Sequence, residues 1–278
     1  MKSNNLKLRW INYAGYELVL PNGKVIVIDP CIDIYNKIDS FTPEDYTGAD
    51  YIILSHTHYD HTKDISYLEK KYNSKVIVGA LSAKALATYF DIDIDHLYPV
   101  FPQEKYEFED FTLHCFRAKH TFFNSLNNTL NGMMERTNSE DYLFPKEHIE
   151  CDMFGSIEYM DYMITTKENY RIFISGGGAH WQTYTNIYQT MKDFRPNLLF
   201  RQSSSKYTPE QYGQMADDFG AQFVFPLHQD GILKKMPISI EEYMSRANSE
   251  LAKIGSFTRV INPIQFKWYS IETSVTEC

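Results

Sequence analysis

"LSHTHYDHTKD", residues 54–64, places three histidines and an aspartate within six positions of a chain that has nine histidines in 278 residues. Histidines in such density are solvated or functional; they rarely fill a core. An apolar run, "ADYIILS", leads into the cluster and reads as a buried strand. In extended backbone, side chains alternate between faces, so His56 and His58 share one side, where two imidazoles reach one ion. Asp60 and His61 follow after the chain turns and face a second position nearby. Imidazole and carboxylate together suit zinc, manganese or iron(II).

Other strands deliver further candidates. "KVIVID" ends in Asp29, "LHCFRAKH" in His120 and "AQFVFPLH" in His228. Ligands need rigid backbone, and strand ends provide it. Around these runs the chain reads strand, strand, turn, strand over residues 6–29, then β–α units. "TKDISYLEKKY" is expected to be a helix with Thr62 as its cap, and "LSAKALATYF" another. "TPEQYGQMADDFG" and "SIEEYMSRANSELAKI" are further helices, the former capped by Thr208 with Pro209 in its first turn. A hairpin joins "SIEYMDYMITT" to "YRIFIS". The pattern predicts two mixed sheets with helices outside. Residues 121 to about 156 lose periodicity and are expected to form an irregular insertion suited to a specificity loop or an interface, a homo-oligomeric one included.

The motif set, "VIVIDP", "LSHTHYDH", a later "KH", a hairpin ending "ISG" and a final "FVFPLH", resembles the metallo-β-lactamase superfamily from about residue 7 to 271. The stretch from "NLLFRQ" to "FVFPLH" resembles its L-ascorbate-6-phosphate lactonase branch. The resemblance implies one α/β domain over residues 1–278, an αββα sandwich of two mixed β-sheets flanked by helices. It implies one metal on His56, His58 and His120 and a second on Asp60, His61 and His228. Asp29 would orient a ligand by a hydrogen bond. It also implies hydrolysis of a small lactone, ester or phosphoester by a metal-bound hydroxide, zinc being the expected ion, with Asp60 as a catalytic base if one ion is bound.

One position departs from the pattern. The family usually carries a metal-bridging aspartate after the Ser-Gly of the hairpin strand, and "ISGGGAH" has Gly177 there. His180, three residues on, is a candidate replacement ligand or a pocket wall. The change leaves one or two ions open. It also keeps a second function class open, a sensing member that binds one metal or an anion without turnover. A di-iron flavoprotein-type oxidoreductase fits less well, because such sites keep the bridging acid.

Bulk composition excludes other classes. Lys and Arg number 27 against 36 Asp and Glu, a net charge of −9, which argues against a broad nucleic-acid surface. An anionic small molecule bound in a local positive pocket remains compatible, and Lys63 is a candidate contact. The four cysteines form no Cys-x-x-Cys pair. No apolar run approaches the roughly 20 residues of a membrane helix. With no apolar signal region in "MKSNNLKLRW", a cytoplasmic protein is expected.

Overall fold

Period-two alternation sorts the strands into two sheets. In the computed structural model, which describes residues 5–34, 41–118, 135, 139–140, 142, 144–175, 190–191, 193–203, 207–229 and 236–271, each sheet has seven strands. The first is ordered β14-β1-β2-β3-β4-β5-β6. Its strands are β1 (Leu6–Asn12), β2 (Gly15–Val19), β3 (Val25–Ile28), β4 (Tyr51–Ile53), β5 (Lys75–Gly79), β6 (Leu97–Val100) and β14 (Trp268–Ile271). The second is ordered β13-β12-β11-β10-β9-β8-β7. It comprises β7 (Lys105–Glu107), β8 (Phe111–Ala118), β9 (Tyr159–Thr166), β10 (Arg171–Ser175), β11 (Leu198–Gln202), β12 (Phe223–Leu227) and β13 (Arg259–Val260). Each sheet is antiparallel at one end and parallel at the other. The run β3-β4-β5-β6 is parallel in one, and β10-β11-β12-β13 in the other.

Alternate residues of each strand face opposite layers. Ile26, Ile28 and Ile53 of the first sheet pack between the sheets with Tyr162, Ile172, Phe200 and Phe225 of the second. The intervening residues Val27, Ile52 and Val76 face outward onto α2 (Ile65–Tyr72) and α3 (Ala83–Phe90). Phe173, Leu199 and Val224 do the same toward α5 (Pro209–Asp218) and α6 (Ile240–Lys253). The layers are therefore α, β, β, α. Helix α6 buries Tyr243, Met244, Ala247 and Leu251 along one stripe, the large ones worth roughly 1.5–3 kcal/mol each. Thr208 caps α5 by accepting from Gln211 N–H, and Gln211 Oε1 returns a bond to Thr208 N–H.

Two local expectations are corrected. Thr62 does not cap a helix. It closes the short helical turn α1 (Tyr59–Thr62), its hydroxyl bonding back to His58 O, and α2 begins after Asp64. The end of the stretch expected to be irregular is helical. A tight turn at Lys146–His148 runs into α4 (Ile149–Ile157). Its burial is uneven, with Cys151, Asp152, Gly155 and Ser156 inside, and mixed polar content hides that stripe from a periodicity reading. No helix among the described residues is long and apolar enough to cross a membrane.

Candidate metal centre

Parallel strands β3 and β4 end side by side, and so do their loops. Asp29 follows β3 at φ 45° and is fully buried. Its Oδ1 accepts from Ser55 N–H at 2.8 Å and its Oδ2 from Ser55 Oγ–H at 2.6 Å. Oδ2 also lies 2.9 Å from His61 Nδ1. From the second sheet, β12 leads into His228 at φ 54°, whose N–H donates to Tyr13 O. Left-handed backbone costs a non-glycine residue about 1 kcal/mol or more. Two such residues, each fixed by hydrogen bonds, reach His61 from its two sides, Asp29 at Nδ1 and His228 at Nε2.

His61 Nε2 and His228 Nε2 approach to 3.1 Å, and Asp60 Oδ2 lies 3.8 Å from His61 Nε2. Among the described residues, Asp60, His61 and His228 form a group whose donor atoms all lie within 4.8 Å of one another. A carboxylate and two converging imidazole nitrogens are a donor set suited to a divalent ion, so the residues present fit such a group. Burial opposes charge on Asp60, but His61, His228 and His58 outweigh it and hold its carboxyl below the ordinary value. Burial likewise opposes charge on His61, and the carboxylates of Asp60 and Asp29 outweigh it, raising the imidazole.

His56 and His58 stand beside this group. The His56 ring centroid is 3.9 Å from that of His61 and 4.5 Å from that of His58. Their hydrogens follow from the network. Ser55 Oγ gives its one hydrogen to Asp29, so it accepts in its 3.0 Å contact with His56 Nδ1. Ser156 Oγ gives its hydrogen to Asp152 O, so it accepts in its 2.6 Å contact with His58 Nε2. The lone pairs then sit on His56 Nε2 and His58 Nδ1.

The second sheet and α4 hold this loop. Tyr162 OH donates to Leu54 O, Met160 N–H to Ser55 O, and Thr57 Oγ–H to Cys151 O. Asp152 Oδ1 accepts from Tyr59 N–H at the start of α1 and lies 3.0 Å from Nδ1 of the fully buried His148. Gly155 passes so close that a Cβ there would lie 2.9 Å from backbone atoms of Thr57 and His58. Backbone cannot yield as a side-chain tip can. Gly155→Ala is expected to cost about 1–3 kcal/mol, read by urea unfolding, and to weaken metal uptake with it. The sequence reading missed Ser156, Asp152 and Tyr159; their only trace is a Ser, an Asp and a Tyr near a glycine, with no spacing rule to single them out.

The loop after β3 is anchored by Asp64, which accepts from Ile32 N–H at 2.7 Å and from Tyr46 OH at 3.2 Å. Burial outweighs those bonds and the nearby Lys63, and Asp64 is pushed up to about 6. Between pH 4 and 6 the folded chain keeps a proton that the unfolded chain has lost. Stability therefore falls as pH rises through that window. Asp64→Asn keeps an acceptor and removes this dependence. Its stability relative to wild type is expected to grow by roughly 2–3 kcal/mol between pH 4 and 7, read by denaturant unfolding.

Lys63 Nζ donates to Asp33 O. His120, Gly177, His180 and most of residues 121–148 lie outside the described residues.

A sequence model described as a Beta-lactamase superfamily domain matches residues 24–135, which include the histidine cluster. The whole fold matches solved structures. A metallo hydrolase from the archaeon Ignicoccus hospitalis superposes with TM-score 0.67 at 16% identity, covering 97% of this chain and 100% of that one. The fold is the αββα sandwich of metallo-β-lactamase proteins, and residues 24–135 match that superfamily's domain. An isothiocyanate hydrolase from Delia radicum gut bacteria shares the superfamily fold, with TM-score 0.61 and 16% identity over 95% and 98% of the two chains. At such identities the likeness shows the fold alone. Curated proteins match over shorter stretches. A UPF0173 metal-dependent hydrolase of Koribacter versatilis is 31% identical over 77 residues, 28% of this chain and 33% of that protein. One from Staphylococcus carnosus is 34% identical over 100 residues, 36% and 42% of the two chains. The matched stretch thus spans about a third of the length of the first of these relatives.

Proposed function

We propose that this chain is a metal-dependent hydrolase acting on a small anionic lactone, ester or phosphoester. The observation that carries the reading is the convergence of Asp60, His61 and His228, with His61 backed by Asp29. The partial likeness to proteins named metal-dependent hydrolases supports it. Zinc is the expected ion, and an L-ascorbate-6-phosphate lactonase-like substrate is the narrower form of the proposal. A divalent ion bound there supplies a Lewis acid and water activated near pH 7.

The chain's own residues set the rest. Asp29 holds His61 by its Nδ1 side and leaves Nε2 directed at the centre. Asp60 stays ionised and contributes negative charge among histidines. Where the one ion bound is held by His56 and His58 and leaves Asp60 free, a carboxylate so placed can take a proton from water. His56 and His58 stand beside this group, their rings held by Ser55 and Ser156.

The test is elemental analysis of protein purified without chelator, followed by turnover of a lactone, ester and phosphoester panel before and after metal removal. Stoichiometric metal with chelator-sensitive turnover supports the proposal. Stoichiometric metal without turnover of any of them favours the sensing alternative, and absence of metal removes the hydrolase reading.

A further inference from the structure

Tyr159 opens β9 at the edge of the site and is 5% exposed. Its hydroxyl lies 2.6 Å from His56 Nε2. Its ring stacks on the same imidazole, centroids 3.8 Å apart and planes 28° apart. The chain Asp29–Ser55–His56 leaves Nε2 with its lone pair, so Tyr159 O–H is the donor in this contact. The nitrogen that an ion would use therefore has a phenol oxygen 2.6 Å away. His58 Nδ1 carries the second lone pair, and its ring lies 6.3 Å from that of Tyr159.

Resting on the reading of this site as a metal centre, we propose that Tyr159 is itself a metal ligand, an oxygen donor completing a position with His56 and His58. When an ion takes the Nε2 lone pair, the hydroxyl hydrogen loses its acceptor. The O–H bond breaks, the proton leaves to solvent, and the phenolate oxygen binds the ion. Donors in a tetrahedral zinc site stand roughly 3.4 Å apart. From 2.6 Å the hydroxyl needs to retreat by less than about 1 Å, within the reach of a side-chain adjustment. Stacking on His56 and burial keep the ring from other rotamers. The result is a position with two nitrogens and one oxygen, in a chain whose other described donor group is two nitrogens and one carboxylate.

The test uses iron as a spectroscopic probe. The full chain is loaded with Fe(II) under nitrogen and oxidised in air, and iron per chain is counted. Visible absorption and resonance Raman spectra are then recorded. A tyrosinate-to-iron charge-transfer band with tyrosinate ring modes is expected in wild type. It should vanish in Tyr159→Phe and persist in Tyr59→Phe. Zinc affinity of Tyr159→Phe, whose ring and stacking are preserved, is expected to fall roughly tenfold or more. Iron bound without the band, or a band that survives Tyr159→Phe, overturns the proposal and leaves the metal-centre reading standing. Failure of wild type to take up iron or zinc overturns both.

Discussion

His61→Ala is expected to lose metal and hydrolysis together. His61 stands between Asp29 on its Nδ1 side and His228 and Asp60 on its Nε2 side. Removing the imidazole takes one donor of three from the described group and leaves Asp29 buried without its ion-pair partner. Loss of a partner that only orients a ligand costs about 10–100-fold in metal affinity, and loss of the ligand itself should exceed that. The measurement is a zinc titration against a competing chelator, with turnover followed in parallel. Affinity within about threefold of wild type would show that His61 does not hold the ion. Folding is the control. His61 is buried, and the cavity left by its ring is expected to cost roughly 2–4 kcal/mol. A chain that still unfolds cooperatively separates the two effects.

Asp29→Ala carries the second large effect, and it acts on stability first. Asp29 is fully buried and accepts from Ser55 N–H and Ser55 Oγ–H while facing His61. Its removal strands the buried Ser55 N–H, at about 1–3 kcal/mol, and takes the carboxylate away from His61. It also frees Ser55 Oγ–H to turn toward His56 Nδ1, shifting the tautomer that puts the lone pair on Nε2. A loss of roughly 3 kcal/mol or more in unfolding free energy is expected, with a 10–100-fold loss of metal affinity. Asp29→Asn separates the contributions. One amide oxygen still accepts from Ser55, so part of the stability returns. The negative charge beside His61 does not, so the metal affinity should stay low. Equal recovery of both would mean that Asp29 acts only by shape.

The fold and half of the site are local properties of the sequence. Strands β3, β4 and β12 are short apolar runs, and each leads directly into a loop, so Asp29, the histidine cluster and His228 could be placed at strand ends before any packing was known. Two histidines two positions apart in extended backbone share a side, and a turn after them redirects Asp60 and His61. Periodicity likewise separates sheet faces from helix stripes, as in α5 and α6.

What only the tertiary structure decided are the contacts between residues distant in the chain. Gly155, Ser156 and Tyr159 meet His56 and His58 from about a hundred positions away. No periodicity links them, because they arise where the second sheet closes over the end of the first. The strand β14 pairs with β1 for the same reason. Its sequence specifies an extended segment, but not which edge receives it. Tautomers belong to this class too. Nothing in "SHTH" says which nitrogen of each ring carries hydrogen. That depends on Ser55 Oγ, fixed by Asp29 from the end of the neighbouring strand, and on Ser156 Oγ, which reaches His58 only once α4 is packed against the loop.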